Sequence, residues 1–144
     1  MAGALPVFDA AGALLFYVAA RGHQGDIGGI TPGSMPPGSR TVEEEGVLIE
    51  NFLLVEGGRF LEAETRDLLA SGKWPARNPD QNIGDLKAQI SACARGAEAL
   101  TGMVAEFGQH VVEAYMAHVQ DNAEEAVRRV GLEPRRTSIR GGTD

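Results

Sequence analysis

The stretch IGDLKAQISACARGAEALTGMVAEF, residues 83–107, decides how the chain is organised. Its apolar or small residues fall at Ile83, Leu86, Ile90, Cys93, Ala97, Leu100, Val104 and Phe107. The steps alternate three and four without a break, the period of a helix packed along a seam. Asn78 or Asp80, just upstream, can cap its start, because their side-chain oxygens accept from free backbone amides. Gly96 and Gly102 each weaken the helix by about 1 kcal/mol relative to Ala. Gly96 precedes the seam residue Ala97, and close helix packing would explain small residues there. Gly108 is placed to end the helix.

Downstream, Val112, Tyr115, Val119, Ala123, Ala126 and Val130 repeat the stepping, which predicts a second helix from about residue 109 to 130. Gly108 leaves only a short link, so the two helices are expected to form an antiparallel hairpin. Upstream the pattern changes. Pro6 to Asp9 reads as a short strand ending in a turn at Asp9–Gly12. The continuous apolar run Ala13 to Ala20 reads as a strand buried on both faces, and the pair as a β-hairpin. Val47 to Val55 also reads as a strand. A turn follows at Glu56–Arg59, then a short helix over Glu62 to Ala70, then an irregular stretch through Pro75 and Pro79. The expected class is α+β: a β-rich segment over 1–77, a helical hairpin over 78–130, and a polar, Gly- and Arg-rich tail over 131–144 expected to be disordered.

A chain of 144 residues fits one domain. Its net charge of −7 argues against a nucleic-acid partner, since neutralising phosphates needs clustered Lys and Arg. The one cysteine, Cys93, excludes an intrachain disulfide and fits a reducing compartment. The small, apolar N-terminus lacks the positive charge of a signal peptide, and the run Ala13–Ala20 is too short to span a bilayer. These features fit a cytoplasmic protein with no membrane partner.

The chemistry-bearing stretch is Arg21 to Pro37, which holds five glycines and three prolines directly after an apolar strand. Gly supplies positive φ, and Pro fixes φ and removes a donor, so this loop has a specified path. Loops at strand ends are where scaffolds display functional groups. The displayed candidates are His23 and Asp26. An imidazole can ligate a metal or move protons near neutral pH, and both side chains could reach one ion. Two ligands do not complete a catalytic zinc site, which takes three plus water; the other reading is a loop histidine bonded to backbone. The glycine spacing matches neither a Walker loop nor a dinucleotide fingerprint, and Thr31-Pro32-Gly33 resists a helix. Glu43, Glu44 and Glu45 read as a solvated face or a first helical turn. His118 and Asp121 read as solvated helix residues, His110 as a surface residue, and Cys93 as a small buried hydrophobe.

Several segments together resemble one family. Pro6-Val7-Phe8, Phe16-Tyr17-Val18-Ala19-Ala20-Arg21-Gly22-His23, Asp26-Ile27-Gly28-Gly29, Pro32-Gly33-Ser34-Met35-Pro36-Pro37 and Glu44-Glu45-Gly46 resemble the B-type half of the hydantoinase/5-oxoprolinase family. So do Asn78-Pro79-Asp80-Gln81-Asn82, Asp85-Leu86-Lys87-Ala88-Gln89 and Ala114 to Glu124. The likeness covers about residues 6–130, in order.

The resemblance implies ATP-dependent opening of cyclic amides such as 5-oxoproline and hydantoins, with ATP on an A-type partner subunit or domain and a divalent metal assisting hydrolysis in the B-type half. It implies that His23 helps hold the metal and that Asp26, Gly28 and Gly29 belong to the site loop. The chain departs from the pattern at Gln24, where the family usually has a second histidine. It also lacks the upstream region that supplies a His-x-x-Asp ligand pair, and the likeness stops at Leu132. The expectation is therefore an internal fragment of such a hydrolase, inactive alone. The alternative is a catalytically inactive truncated module that acts in subunit packing, with another subunit or as a homo-oligomer.

Overall fold

A computed structural model describes residues 1–33 and 36–131. The expected disordered tail, and Ser34-Met35 within the Pro-rich motif, lie outside the described residues. Elements run in the order β1 (Ala2–Phe8), β2 (Leu14–Arg21), α1 (Val42–Glu45), β3 (Val55–Glu56), β4 (Arg59–Phe60), α2 (Glu62–Ala70), α3 (Pro79–Phe107) and α4 (Gln109–Gly131). The class is mixed α and β, with a short N-terminal antiparallel strand pair followed by helices. The chain divides into two compact units, Met1–Glu98 and Ala99–Asp144.

β1 and β2 pair antiparallel, with Gly3 opposite Ala20, Leu5 opposite Val18 and Val7 opposite Phe16. The turn between them is tied by Asp9, whose Oδ1 accepts from Ala11 N at 2.8 Å and Ala13 N at 2.7 Å. β1 begins at Ala2, four residues before the expected Pro6. The expectation that β2 is buried on both faces is corrected: Phe16 is buried while Tyr17 is 68% exposed. With side chains alternating across the sheet, Phe16, Val18 and Ala20 face inward and Tyr17, Ala19 and Arg21 outward. The run is apolar on both sides, but only one side is covered within its unit.

Val47–Val55 is also corrected. Only Val55–Glu56 forms a strand, a two-residue ladder with Arg59–Phe60. Asn51 sits at φ +46°, in the left-handed region, and interrupts the extended path.

Helix α2 matches its expected span. Thr65, 2% exposed, turns its hydroxyl back to Leu61 O at 2.6 Å, and Leu69 is 1% exposed. Helix α3 starts at Pro79, earlier than the seam's first residue, because Asn78 caps it: Asn78 Oδ1 accepts from Gln81 N at 3.3 Å. Pro79 suits the first helical position, where no N–H partner is needed. Ile83, Leu86 and Cys93 are buried, as the seam requires. A Cβ at Gly96 would lie 2.9 Å from Val18 Cγ1, so this glycine is where α3 approaches β2. Gly108, at φ +85°, donates to Val104 O at 2.9 Å and separates α3 from α4. On α4 only Val112 is buried; Tyr115, Val119, Val127 and Val130 are exposed.

Candidate functional site: the His23 loop

The loop that leaves β2 is fixed from three sides. Asp26 Oδ1 accepts from Gly28 N at 2.7 Å, turning the chain back on itself. Arg77 Nη1 donates to Asp26 Oδ2 at 3.0 Å and Oδ1 at 3.2 Å, and its Nη2 donates to Gly29 O at 2.8 Å. One guanidinium therefore spans a carboxylate and a backbone carbonyl, a use of its planar fork that Lys cannot copy. Gly29 N donates to Trp74 O at 2.9 Å, Ile30 N to Glu44 O at 2.9 Å and Val47 N to Ile27 O at 3.0 Å. The loop is thus laced to the segment before α3 and to the end of α1.

The glycines at its centre are required by space as well as by conformation. Gly28 and Gly29 lie at φ +93° and +96°. A Cβ on Gly28 would sit 2.1 Å from Trp74 O, and one on Gly29 2.6 Å from Glu44 O. Both are backbone atoms that have little freedom to retreat.

Asp26 is half-buried. Burial works to raise its pKa, but the hydrogen bond from the Gly28 amide and the hydrogen bonds and charge of Arg77 outweigh it and hold the carboxyl below the ordinary aspartate value. Both of its oxygens are engaged by the clasp.

Gln24 and His23 point to different environments. His23 is exposed. Gln24 is 4% exposed, and its Oε1 accepts from Asn82 Nδ2 at 3.0 Å. Asn82 is 2% exposed, on the first turns of α3. This amide pair pins the loop's first half to the helix, as Arg77 pins its second half. Where a metal ligand would have to face a shared ion, Gln24 faces the interior.

The loop therefore brings Asp26, Gly28 and Gly29 together as a rigid clasp, with His23 on its exposed side. Among the described residues no three His, Cys, Asp or Glu side chains come together in a group able to hold a metal ion. The described residues do not by themselves fit a metal centre. Elsewhere, Cys93 is buried as expected. His118 is exposed on α4, and its Nε2 lies 3.0 Å from Asn122 Nδ2. Glu43, Glu44 and Glu45 lie in the single turn of α1, as the first-helical-turn reading expects. Reading the sequence missed Arg77, Trp74 and the Gln24–Asn82 pair. Asn82 had a signal, since it ends the segment Asn78–Asn82 that carries the family resemblance; a lone Arg77 had none.

No described helix is long and apolar enough to cross a membrane. No solved structure matches the chain. The family model for hydantoinase B/oxoprolinase matches residues 2–134. A 5-oxoprolinase of Dictyostelium discoideum is 47% identical over 117 residues, 81% of this chain and 9% of its own length. 5-oxoprolinase 1 of Arabidopsis thaliana is 47% identical over 131 residues, 85% of this chain and 10% of that protein. The caprolactamase subunit beta of Pseudomonas jessenii is 31% identical over 123 residues, 85% of this chain and 20% of that subunit. The chain spans about a tenth of the length of the 5-oxoprolinases it matches. By its sequence from residue 2 to 134, carried on a fold that clasps the His23 loop from three sides, the chain belongs to the hydantoinase B/oxoprolinase family.

Proposed function

We propose that the chain is a piece of the B-type half of an ATP-dependent cyclic-amide hydrolase of the 5-oxoproline/hydantoin type, working in the cytoplasm beside an A-type half that binds ATP. The observation that carries this reading is the likeness to 5-oxoprolinases over more than four-fifths of the chain. In this reading residues 1–77 form the site-bearing segment and 78–130 an antiparallel helical hairpin. His23 supplies one donor to a divalent metal, and the other ligands come from the rest of the longer polypeptide. Asp26, Gly28 and Gly29 hold the loop that presents it. A five-membered lactam is a stable amide, so its opening needs both activation of the amide oxygen and a positioned water. The 144-residue chain alone is expected to turn nothing over.

The test is a graft. This chain replaces the matched 131 residues of the Arabidopsis 5-oxoprolinase 1, and ATP-dependent opening of 5-oxoproline is measured with and without His23→Ala. Activity that falls at least about 100-fold with His23→Ala is the expected result, since even partners one step outside the metal ligands act on a scale of about 10–100-fold. An active graft indifferent to His23→Ala would remove His23 from the site. A graft that folds but stays inactive, even with Gln24→His, would favour the other reading: an inactive module acting in subunit packing. That second reading has its own support in the exposed apolar residues of α4, Tyr115, Val119, Val127 and Val130.

A further inference from the structure

We propose that the outer edge of β1 is a docking site for a β-strand supplied by the rest of the longer family polypeptide. The proposal uses the family membership and the length difference, and it deepens the reading of the chain as one piece of a larger B-type half.

The backbone of β1 carries the argument. Met1 and Gly22 exchange both of their hydrogen bonds, Gly22 N to Met1 O at 3.0 Å and Met1 N to Gly22 O at 2.7 Å. In an antiparallel pair such two-way pairs alternate with pairs whose N–H and C=O groups point away. With Ala2 opposite Arg21 and no shift before Val7, the inward pairs are Gly3–Ala20, Leu5–Val18 and Val7–Phe16. Ala2 and Ala4 therefore aim their N–H and C=O groups at the outer edge. Pro6 aims a carbonyl there but has no N–H to offer. A proline is tolerated where a ladder ends, and the register shift follows at Val7/Phe8. The edge thus offers a short template of two donors and three acceptors.

Ala2 and Ala4 are themselves exposed. β1 lines an apolar groove of about 930 Å³ together with Phe52 to Val55, Leu69, Leu86 and Cys93. Phe52 to Val55 belong to the segment that reads as a strand in sequence; among the described residues Leu48 to Leu53 make no backbone hydrogen bond to another segment, whereas Leu54 O accepts from Leu61 N and Val55 pairs with Phe60. Leu53 is 55% exposed. A groove lined by an unpaired strand edge and by apolar side chains fits an extended apolar strand, which would bond to Ala2 and Ala4 and bury side chains against that lining. About nine-tenths of each 5-oxoprolinase relative lies outside the matched region, so those relatives carry polypeptide that could fill such a groove.

The experiment co-expresses this chain with the Arabidopsis 5-oxoprolinase 1 from which the matched 131 residues have been deleted. Hydrogen exchange at single-residue resolution is then read on the chain, free and captured. The expected result is a complex in which the Ala2 and Ala4 amides become protected while those of Gly3 and Leu5, already paired, change little. Ala4→Pro, which removes an outward donor that β2 does not use, should weaken capture about tenfold and leave the free chain's stability unchanged. A complex without protection at Ala2 and Ala4 overturns the docking strand and leaves the hydrolase reading intact. Protection at the same amides in a dimer of the free chain overturns it in favour of a second copy. Failure to form any complex also overturns it, while the graft assay judges the hydrolase reading separately.

Discussion

Gly28 is held at φ +93° with the Trp74 carbonyl where its Cβ would be. A side chain there costs about 1–2 kcal/mol for the left-handed backbone alone, and the clash with a fixed backbone oxygen adds to it. Gly33 has a similar φ of +90° but open space around it. Gly28→Ala should therefore lower the urea midpoint clearly more than Gly33→Ala, and equal shifts would mean that the clasp yields easily. Asp26 makes a second residue-scale prediction. Its folded pKa lies below its unfolded one, so the clasp's contribution is fully present above the unfolded aspartate pKa of about 3.9 and is lost as pH falls through the folded value. Asp26→Ala should cost about 1.5–3 kcal/mol at neutral pH, as hydrogen bonds to a charged group do. The difference from wild type should shrink at acid pH. A pH-independent difference between the two denaturation profiles would show that charge is not what Asp26 contributes.

At the scale of elements, α3 is anchored at its first turns and α2 is packed through its middle. Asn78→Ala removes the cap on Gln81 N and should cost about 1 kcal/mol. Leu86 is 1% exposed on α3, so Leu86→Ala should cost about 2–5 kcal/mol, cavity included. Chemical denaturation reads both, and a Leu86→Ala cost no larger than that of Asn78→Ala would mean that α3 is not seated in a packed core. The helices were legible because their signal is local: three-four stepping, a capping Asn78 and a terminating Gly108 all lie within the segment they organise. The strand expected over Val47–Val55 was not, because composition reports a preference for extended backbone while a ladder needs a partner at the right edge. Asn51, in the left-handed region, breaks that path.

For the molecule as a whole, apolar surface is left uncovered on α4, where Val127 is 71% and Val130 80% exposed. Surface of this kind draws a partner or a second copy. The purified chain should associate with rising concentration in sedimentation experiments, and Val119→Glu should shift it towards monomer. A wild-type chain that remains monomeric at high concentration would show that the α4 face is tolerated bare.

By itself the sequence determined the family, the helical periods, the glycine-rich loop after β2 and the candidacy of His23. Each of these is written in residue identity and short-range spacing, which one chain displays without any partner. Only the tertiary structure decided that Asp26 serves a clasp with Arg77 across 51 positions, and that Gln24 turns inward to Asn82 across 58. It also decided that β2 is covered on one face and that β1, unpaired on its outer edge, lines an apolar groove. Those outcomes depend on which distant groups arrive within hydrogen-bonding or packing distance. A hydrogen bond of about 3 Å is satisfied by position in space, and sequence separation carries no record of it.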